Sequence, residues 1–414
     1  MSASDPESRF RDGPLTGCRV LELGSTVAAP FCGRLLADFG AQVIKIELAE
    51  GDPVRSMGKR LDGRSLYAAS IFRNKDLVSV DLRKPEGQDL VRKIAGQCDI
   101  VVENFKPGTL ERWNLGYERV TAERPSLVLV RISGFGQDGP YAQRPGFGVI
   151  AEAMGGLRHI TGDPDRPPPR VAVSLTDYIA GLSAAFAAVM ALLVSRQTGR
   201  GQVIDASLLE SSFQFMEPFV PAYDKLGFVA SRAGSRLPDN VPNNLYATAD
   251  SFIHIATVGE PTFRRLMGAI GRPALADDAR FCTAALRAKN EDALDEIIAG
   301  WTGARSLETV EAALQNADVP ATRVYTMADI FRDRHVAARR MIADVPDAEL
   351  TSIKMANVFP RLSETPGRIR HAGGGVAGRD TRRVLKDLLR LSDPDVDRLA
   401  ADGTISLGEE PDDD

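Results

Sequence analysis

The sequence predicts an α/β fold with a large parallel sheet. Three observations carry that expectation. Short, nearly continuous apolar strands alternate with helical stretches through the first third, as in parallel sheets covered on both faces. One long run, Ile179–Val194, has no charge and reads as a core helix. A 414-residue chain is also too long for a single core.

The elements follow in order. CRVLELG (18–24) reads as a strand, PFCGRLLADFG (30–40) as a helix with Pro30 in its first turn, and QVIKIEL (42–48) as a second strand. LVSVDL (77–82) is a third, followed by a helix from Pro85 to about Ala95. DIVVEN (99–104) and SLVLVRIS (126–133) continue the sheet. VAVSLT reads as a strand leading into Asp177 and the long helix, and QVIDASLL (202–209) extends the layer. Proline, glycine and asparagine concentrate between 216 and 245, which reads as a crossing linker. A smaller unit then opens with SFIHIAT (251–257) and a helix carrying Leu294, Ile297, Ile298 and Trp301 on one face. ADVPATRVYT (317–326) reads as the strand returning to the first domain, and Asp380 and Asp393 each precede a terminal helix. The expected division is a discontinuous large domain at 14–220 and 321–408, a linker at 221–245, a small domain at 246–320, and tails at 1–13 and 409–414.

Composition narrows the function. The chain is 43% apolar and 26% charged with a net charge of −5, which argues against a nucleic-acid partner. Four scattered cysteines without CxxC spacing suggest a reducing, cytoplasmic setting and no zinc site. Four histidines form no HxH or HxxxH pair, so no metal site is expected. The polar opening MSASDPESRFRD has no apolar signal region. The uncharged run of 16 residues is short of the roughly 20 that span a bilayer, so no membrane association is expected. The acidic EEPDDD end reads as a solvated tail.

Asp177 is the candidate nucleophile. A carboxylate between an apolar strand and a buried helix sits beside unpaired backbone N–H groups and the positive end of the helix dipole. Local pattern alone favours an N-cap, the commonest use of Asp at such a spot. Gly134-Phe-Gly136-Gln-Asp-Gly139 satisfies GxGxxG, but Pro140 and Arg144-Pro145 follow, so it reads as a loop and not a dinucleotide site. Thr26, Val27 and Ala28 would let a ligand approach the backbone at a helix start. Arg73, Lys75, Lys106 and Arg112 lie near strand ends, where open parallel sheets bind ligands, and Asn104-Phe105 could sandwich a ring. Together they suit an anionic, adenine-bearing ligand. No GxSxG elbow or Cys/His pairing competes with the carboxylate.

Jointly, the segments PLTGCRVLELGSTVAAPFCGRLLADFGAQVIKIE, GDPVR, NKDLVSVDLRKPEG, VVENFKPGTLERWNLGYE, SGFGQDGPYAQRPG, TDYIAGLSAA, TGRGQVIDASLLE and ADVPATRV resemble the family III CoA-transferases, from about Pro14 to Ile405. The resemblance implies a Rossmann-like large domain, a small α+β domain and an interlocked homodimer. It implies that Asp177 attacks an acyl-CoA thioester and that Thr26, Val27, Ala28, Lys75, Asn104, Phe105 and Arg112 contact CoA. Coenzyme A and its esters then enter as substrates, with no tightly bound cofactor, and a carboxylic acid is the second partner. Leu48 stands where some relatives carry a CoA-binding arginine, and no tetraglycine lid occurs between 230 and 260, although Gly373–Gly375 is glycine-rich. The racemase branch needs a histidine where Phe147 stands, with His159 not far beyond. Arg55, Arg73 and Arg144 could hold a second carboxylate, which points to a dicarboxylic acid with succinyl-CoA as donor.

Overall fold

The structure, a computed structural model, describes residues 13–408. The expected tail at 409–414 and nearly all of the tail at 1–13 lie outside the described residues.

A seven-stranded sheet forms the first compact unit, which comprises the residues up to Leu157, Val171–Val220 and those from Ala337 onward. Its first three strands are β1 (Arg19–Glu22), β2 (Gln42–Glu47) and β3 (Lys75–Val80). They are followed by β4 (Ile100–Glu103), β5 (Val128–Ser133) and β6 (Val203–Ser207). All six are parallel, in the order β3-β2-β1-β4-β5-β6. The short strand Ile405–Ser406 closes the β3 edge antiparallel.

Alternating side chains feed two cores. Val20, Val43, Ile100, Val102, Val128 and Val130 pack under helices α1 (Ala28–Asp38) and α4 (Leu175–Thr198). On the other face, Leu21, Ile44, Val78, Val101 and Leu129 pack against α2 (Pro85–Ala95) and the helices Thr381–Leu389 and Asp393–Ala401. This two-sided burial is why the strands read as continuous apolar runs. A further helix, α3 (Gly148–Met154), precedes α4.

Several expectations are corrected. Residues 171–174 form no strand; α4 starts at Leu175 with Ser174 as its N-cap, so Asp177 lies inside the first turn and is not the cap. α4 is also longer than the uncharged run, because Leu175–Tyr178 and Ser195–Thr198 join it, which makes it long and apolar enough to cross a membrane by length and composition. Ser392, with a capping box to Asp395, caps the last helix in place of Asp393. Asp380 does precede its helix, but its carboxylate accepts the Leu77 N–H instead of capping.

The second unit comprises Arg158–Arg170 and Pro221–Val336. Its three-stranded antiparallel sheet joins Asn243–Ala247, Phe252–Ala256 and Ala321–Arg323. ADVPATRVYT therefore stays in this sheet and does not return the chain to the first unit. The stretch expected as a linker includes the end of helix Phe219–Leu226 and the start of the Asn243–Ala247 strand. Leu294 and Ile298 are buried as the helical spacing predicts, with Ile297 and Trp301 packed beside them. Asp295 accepts from Tyr246, Arg236 and Asn244 within this unit.

Candidate active site

The turn between β1 and α1 is built to unusual tolerances. A Cβ on Gly24 would lie 2.2 Å from the Ala29 methyl and 2.6 Å from Asn104 Oδ1, so no other residue fits. Asn104 holds the next residue from both ends of its amide: the Ser25 N–H donates to Oδ1 at 2.8 Å, and Nδ2 donates to the Ser25 carbonyl at 2.9 Å. Thr26 has φ +68°, and its N–H donates to Asp52 Oδ1 at 3.0 Å. Val27 is the N-cap of α1, and it and Ala28 are buried.

Beside this turn, at the C-terminal edge of the sheet, lies a cavity of about 320 Å³. Its walls are mostly apolar, with Leu23, Ile46, Leu48, Val80, Leu82 and Phe105 among them, and Lys45, Glu47 and Asp52 on one side. Open parallel sheets take ligands at this edge. Phe105 meets Trp113 edge-to-face with centroids 5.0 Å apart. Trp113 is a wall that sequence reasoning missed; the signal available was an aromatic just past the short helix Thr109–Arg112 that follows Asn104-Phe105. Leu48 adds apolar surface to the same cavity.

The basic residues divide sharply. Lys75 is fully buried, donating to Glu22 Oε2 and to the Pro30 carbonyl, both at 2.7 Å. Arg73 is fully buried and grips Asp38 with two hydrogen bonds of 2.9 and 2.6 Å. Arg55 does the same to Glu47 at 2.8 and 2.6 Å and also donates to the Gly375 carbonyl. The three share one cause: a cation drawn out of water needs a carboxylate partner, and each of these has one. Arg112 and Lys106 are exposed at the site edge, Arg112 donating to Thr109 at 2.9 Å. Arg144 is exposed and stacks on Tyr141 at 3.6 Å.

Buried charges also run between β1 and β2. Lys45 Nζ lies 2.9 Å from Asp52 and 3.8 Å from Glu22, and donates to the Gly24 carbonyl. Burial pushes the Glu22 carboxyl up against the pull of Lys75 and Lys45. Burial would raise Asp52 as well, but Lys45 and the N–H groups of Val54 and Thr26 outweigh it and hold that carboxyl below its ordinary range.

Asp177 occupies the other side of the turn. A Cβ on Gly148, the first residue of α3, would stand 2.1 Å from Asp177 Oδ2 and 2.5 Å from Thr176 Oγ1, so this glycine makes room for the carboxylate. One turn along α4, a Cβ on Gly181 would lie 2.6 Å from the Ala28 carbonyl and 3.1 Å from Phe31. That contact brings the start of α4 against the first turn of α1. Tyr178 packs edge-on against Phe31 at 4.7 Å, and its hydroxyl pairs with that of Tyr67 at 2.7 Å. Burial, the Tyr178 hydrogen bond and the charge on Asp177 all push the Tyr67 phenol up. The Thr26–Ala28 turn thus connects Asp52, a wall of the cavity, to the corner that carries Asp177.

The remaining motifs are placed elsewhere. Gly134–Gly139 is a loop: the Gly136 N–H donates to Ser133, and the Gln137 N–H to Asp205. Gly373 and Gly375 pack under Arg64 and Arg55 through their carbonyls. Phe147 is 75% exposed and offers no proton, and His159 lies in the second unit against the Ala230 carbonyl. Among the described residues no group of three His, Cys, Asp or Glu could hold a metal ion.

Comparison with known proteins fits this geometry. Residues 15–381 match the sequence profile of CoA-transferase family III. The succinyl-CoA–D-citramalate CoA-transferase of Chloroflexus aurantiacus is 45% identical over 95% of this chain and 98% of its own length. The succinyl-CoA:glutarate CoA-transferase of Mus musculus is 32% identical over 96% of this chain and 91% of its own. Among solved structures, a CAIB/BAIF family protein from Brucella suis superposes with a TM-score of 0.82 at 31% identity, covering 91% of this chain and all of that one. The chain belongs to CoA-transferase family III and is a CoA-transferase.

Proposed function

We propose that this member of CoA-transferase family III moves CoA from succinyl-CoA to a short dicarboxylic acid, with Asp177 as the nucleophile. The observation that carries the reading is the Asp177 corner, a carboxylate given room by Gly148 and joined through the Thr26–Ala28 turn to an apolar cavity. In the first step an Asp177 oxygen attacks the thioester carbonyl and the C–S bond breaks, leaving an acyl-aspartyl anhydride and CoA thiolate. The thiolate then attacks the aspartyl carbonyl, releasing succinate and forming an aspartyl-CoA thioester. The acceptor carboxylate attacks that thioester to give an acceptor–aspartyl anhydride and CoA thiolate, and the thiolate then attacks the acceptor carbonyl, forming its CoA ester with the Asp177 carboxylate as leaving group. Each step passes through an oxyanion, for which backbone N–H groups near Asp177 are the candidate donors.

Substrate choice rests on relatives whose names specify succinyl-CoA with D-citramalate, L-malate or glutarate. All three acids carry two carboxylates. Arg144 and Lys106 are exposed cations suited to the second carboxylate. Thr26, Val27, Ala28, Asn104, Phe105 and Arg112 are the proposed CoA contacts, with Phe105 and Trp113 taking the adenine.

The strand order β3-β2-β1-β4-β5-β6 supports a Rossmann-like reading of the large unit. The outer face of α4 leaves Leu182, Phe186, Met190 and Leu193 46–65% exposed at helical spacing. A stripe of that kind marks a binding surface, which supports a homodimer. Four free cysteines, three of them buried, suit a reducing cytoplasmic compartment.

The test is exchange. Succinyl-CoA is incubated with malate, citramalate, glutarate and a monocarboxylate, and new CoA esters are followed chromatographically. The reading expects dicarboxyl-CoA products with equimolar succinate. Exchange with the monocarboxylate alone would overturn the substrate reading, and α-proton wash-out without CoA exchange would overturn transfer.

A further inference from the structure

We infer that Asp52, within Gly51-Asp-Pro-Val-Arg55, is a positioning residue that holds the Thr26 turn in a left-handed conformation for acyl-CoA. The inference rests on the reading that this turn contacts CoA. Its starting point is a backbone outlier. Thr26 sits at φ +68°. For a β-branched residue that region is strongly disfavoured and persists only where the surroundings over-determine it.

Asp52 supplies that determination. Its carboxylate is wholly buried, and the Thr26 N–H donates to both oxygens, at 3.0 and 3.3 Å. Lys45 bridges Asp52 Oδ2, at 2.9 Å, to the Gly24 carbonyl, so the same cluster grips the turn on both sides of Ser25. The Asp52 N–H in turn donates to Glu47 at 3.1 Å, and Glu47 is gripped by Arg55. Asp52 also accepts the Val54 N–H at 2.9 Å, capping its own short helix. Capping uses one oxygen and explains neither the burial of Lys45 nor the bonds to Thr26. Lys45, Asp52, Gly24 and Ser25 all line the 320 Å³ cavity, so the clamp and the ligand space share a wall.

The inference predicts that the cost of losing Asp52 depends on the residue at position 26. Glycine adopts φ near +68° without strain, so it needs no clamp. Steady-state kinetics with varied succinyl-CoA on the full chain would compare Asp52→Asn in the Thr26 background with Asp52→Asn in a Thr26→Gly background, each against its own parent. With Thr26 in place, kcat/KM for succinyl-CoA falls about tenfold or more; in the Thr26→Gly background it falls less than about threefold. An equal penalty in the two backgrounds, or no penalty with Thr26, overturns the inference. If Asp52→Asn does not accumulate, Asp52→Glu keeps the charge beside Lys45 while displacing the oxygen from Thr26, and carries the same comparison. Asp177→Ala is assayed alongside. If it still transfers CoA, the reading of Asp177 fails; if it is inactive while the penalty is the same in both backgrounds, only the role of Asp52 fails.

Discussion

Two corners flank the Thr26–Ala28 turn, and they are built by opposite means. The Asp177 corner is made by leaving atoms out: Gly148 and Gly181 have no Cβ, and a carboxylate and a helix occupy the space. The cavity corner is made by adding charge, with Lys45, Glu47, Asp52 and Arg55 locked into a buried network. The two constructions decide where each kind of substitution acts. Filling a glycine gap displaces a reacting group or a helix, whereas disturbing the charges releases a backbone turn.

Substitutions at the two corners should separate these two modes. The largest effect belongs to Asp177→Asn, which keeps the shape but removes the nucleophile; CoA exchange falls by at least about a thousandfold, read by product chromatography. Gly148→Ala comes next. Its methyl must push the Asp177 carboxylate aside and also crowds the buried Thr176 hydroxyl. We expect kcat to fall about a hundredfold, with a loss of about 1–3 kcal/mol in urea unfolding from the added crowding. Phe105→Ala acts on the cavity side: KM for acyl-CoA rises about tenfold while kcat stays within a few-fold, by analogy with the stacking of a base on an aromatic ring. Gly181→Ala is a matter of packing. A methyl against the Ala28 carbonyl overfills the α1–α4 contact and lowers stability by about 1–3 kcal/mol in urea unfolding. A Gly148→Ala enzyme with full activity would mean that the gap at Asp177 is incidental.

Much of the fold was legible because strands buried on both faces leave an unmistakable mark. The β1, β2, β3, β4, β5 and β6 segments and α1 lie within a few residues of their expected ends. Local patterns failed where a neighbour in space decides the outcome. VAVSLT has strand-like composition but joins no sheet, and Ala321–Arg323 pairs within the second unit because Phe252–Ala256 offers it an edge. The candidate residues lie where the strand and helix pattern puts them: Thr26 in the turn after β1, Phe105 just past β4 and Asp177 in the first turn of α4. What local pattern could not supply was the pairing of Arg73 with Asp38, Lys75 with Glu22 and Thr26 with Asp52, which are 35, 53 and 26 residues apart. A usable signal did exist. Glu22, Glu47 and Glu103 each end an apolar strand, and an acid so buried demands a cation; Arg131 answers Glu103 at 2.8 Å.

The central claim is that Asp177 becomes acylated. The most direct measurement incubates the enzyme with succinyl-CoA, quenches with hydroxylamine and maps peptides by mass spectrometry. The account predicts a hydroxamate on Asp177 that appears only with the thioester present. A hydroxamate on another carboxylate, or turnover with none formed, would contradict it.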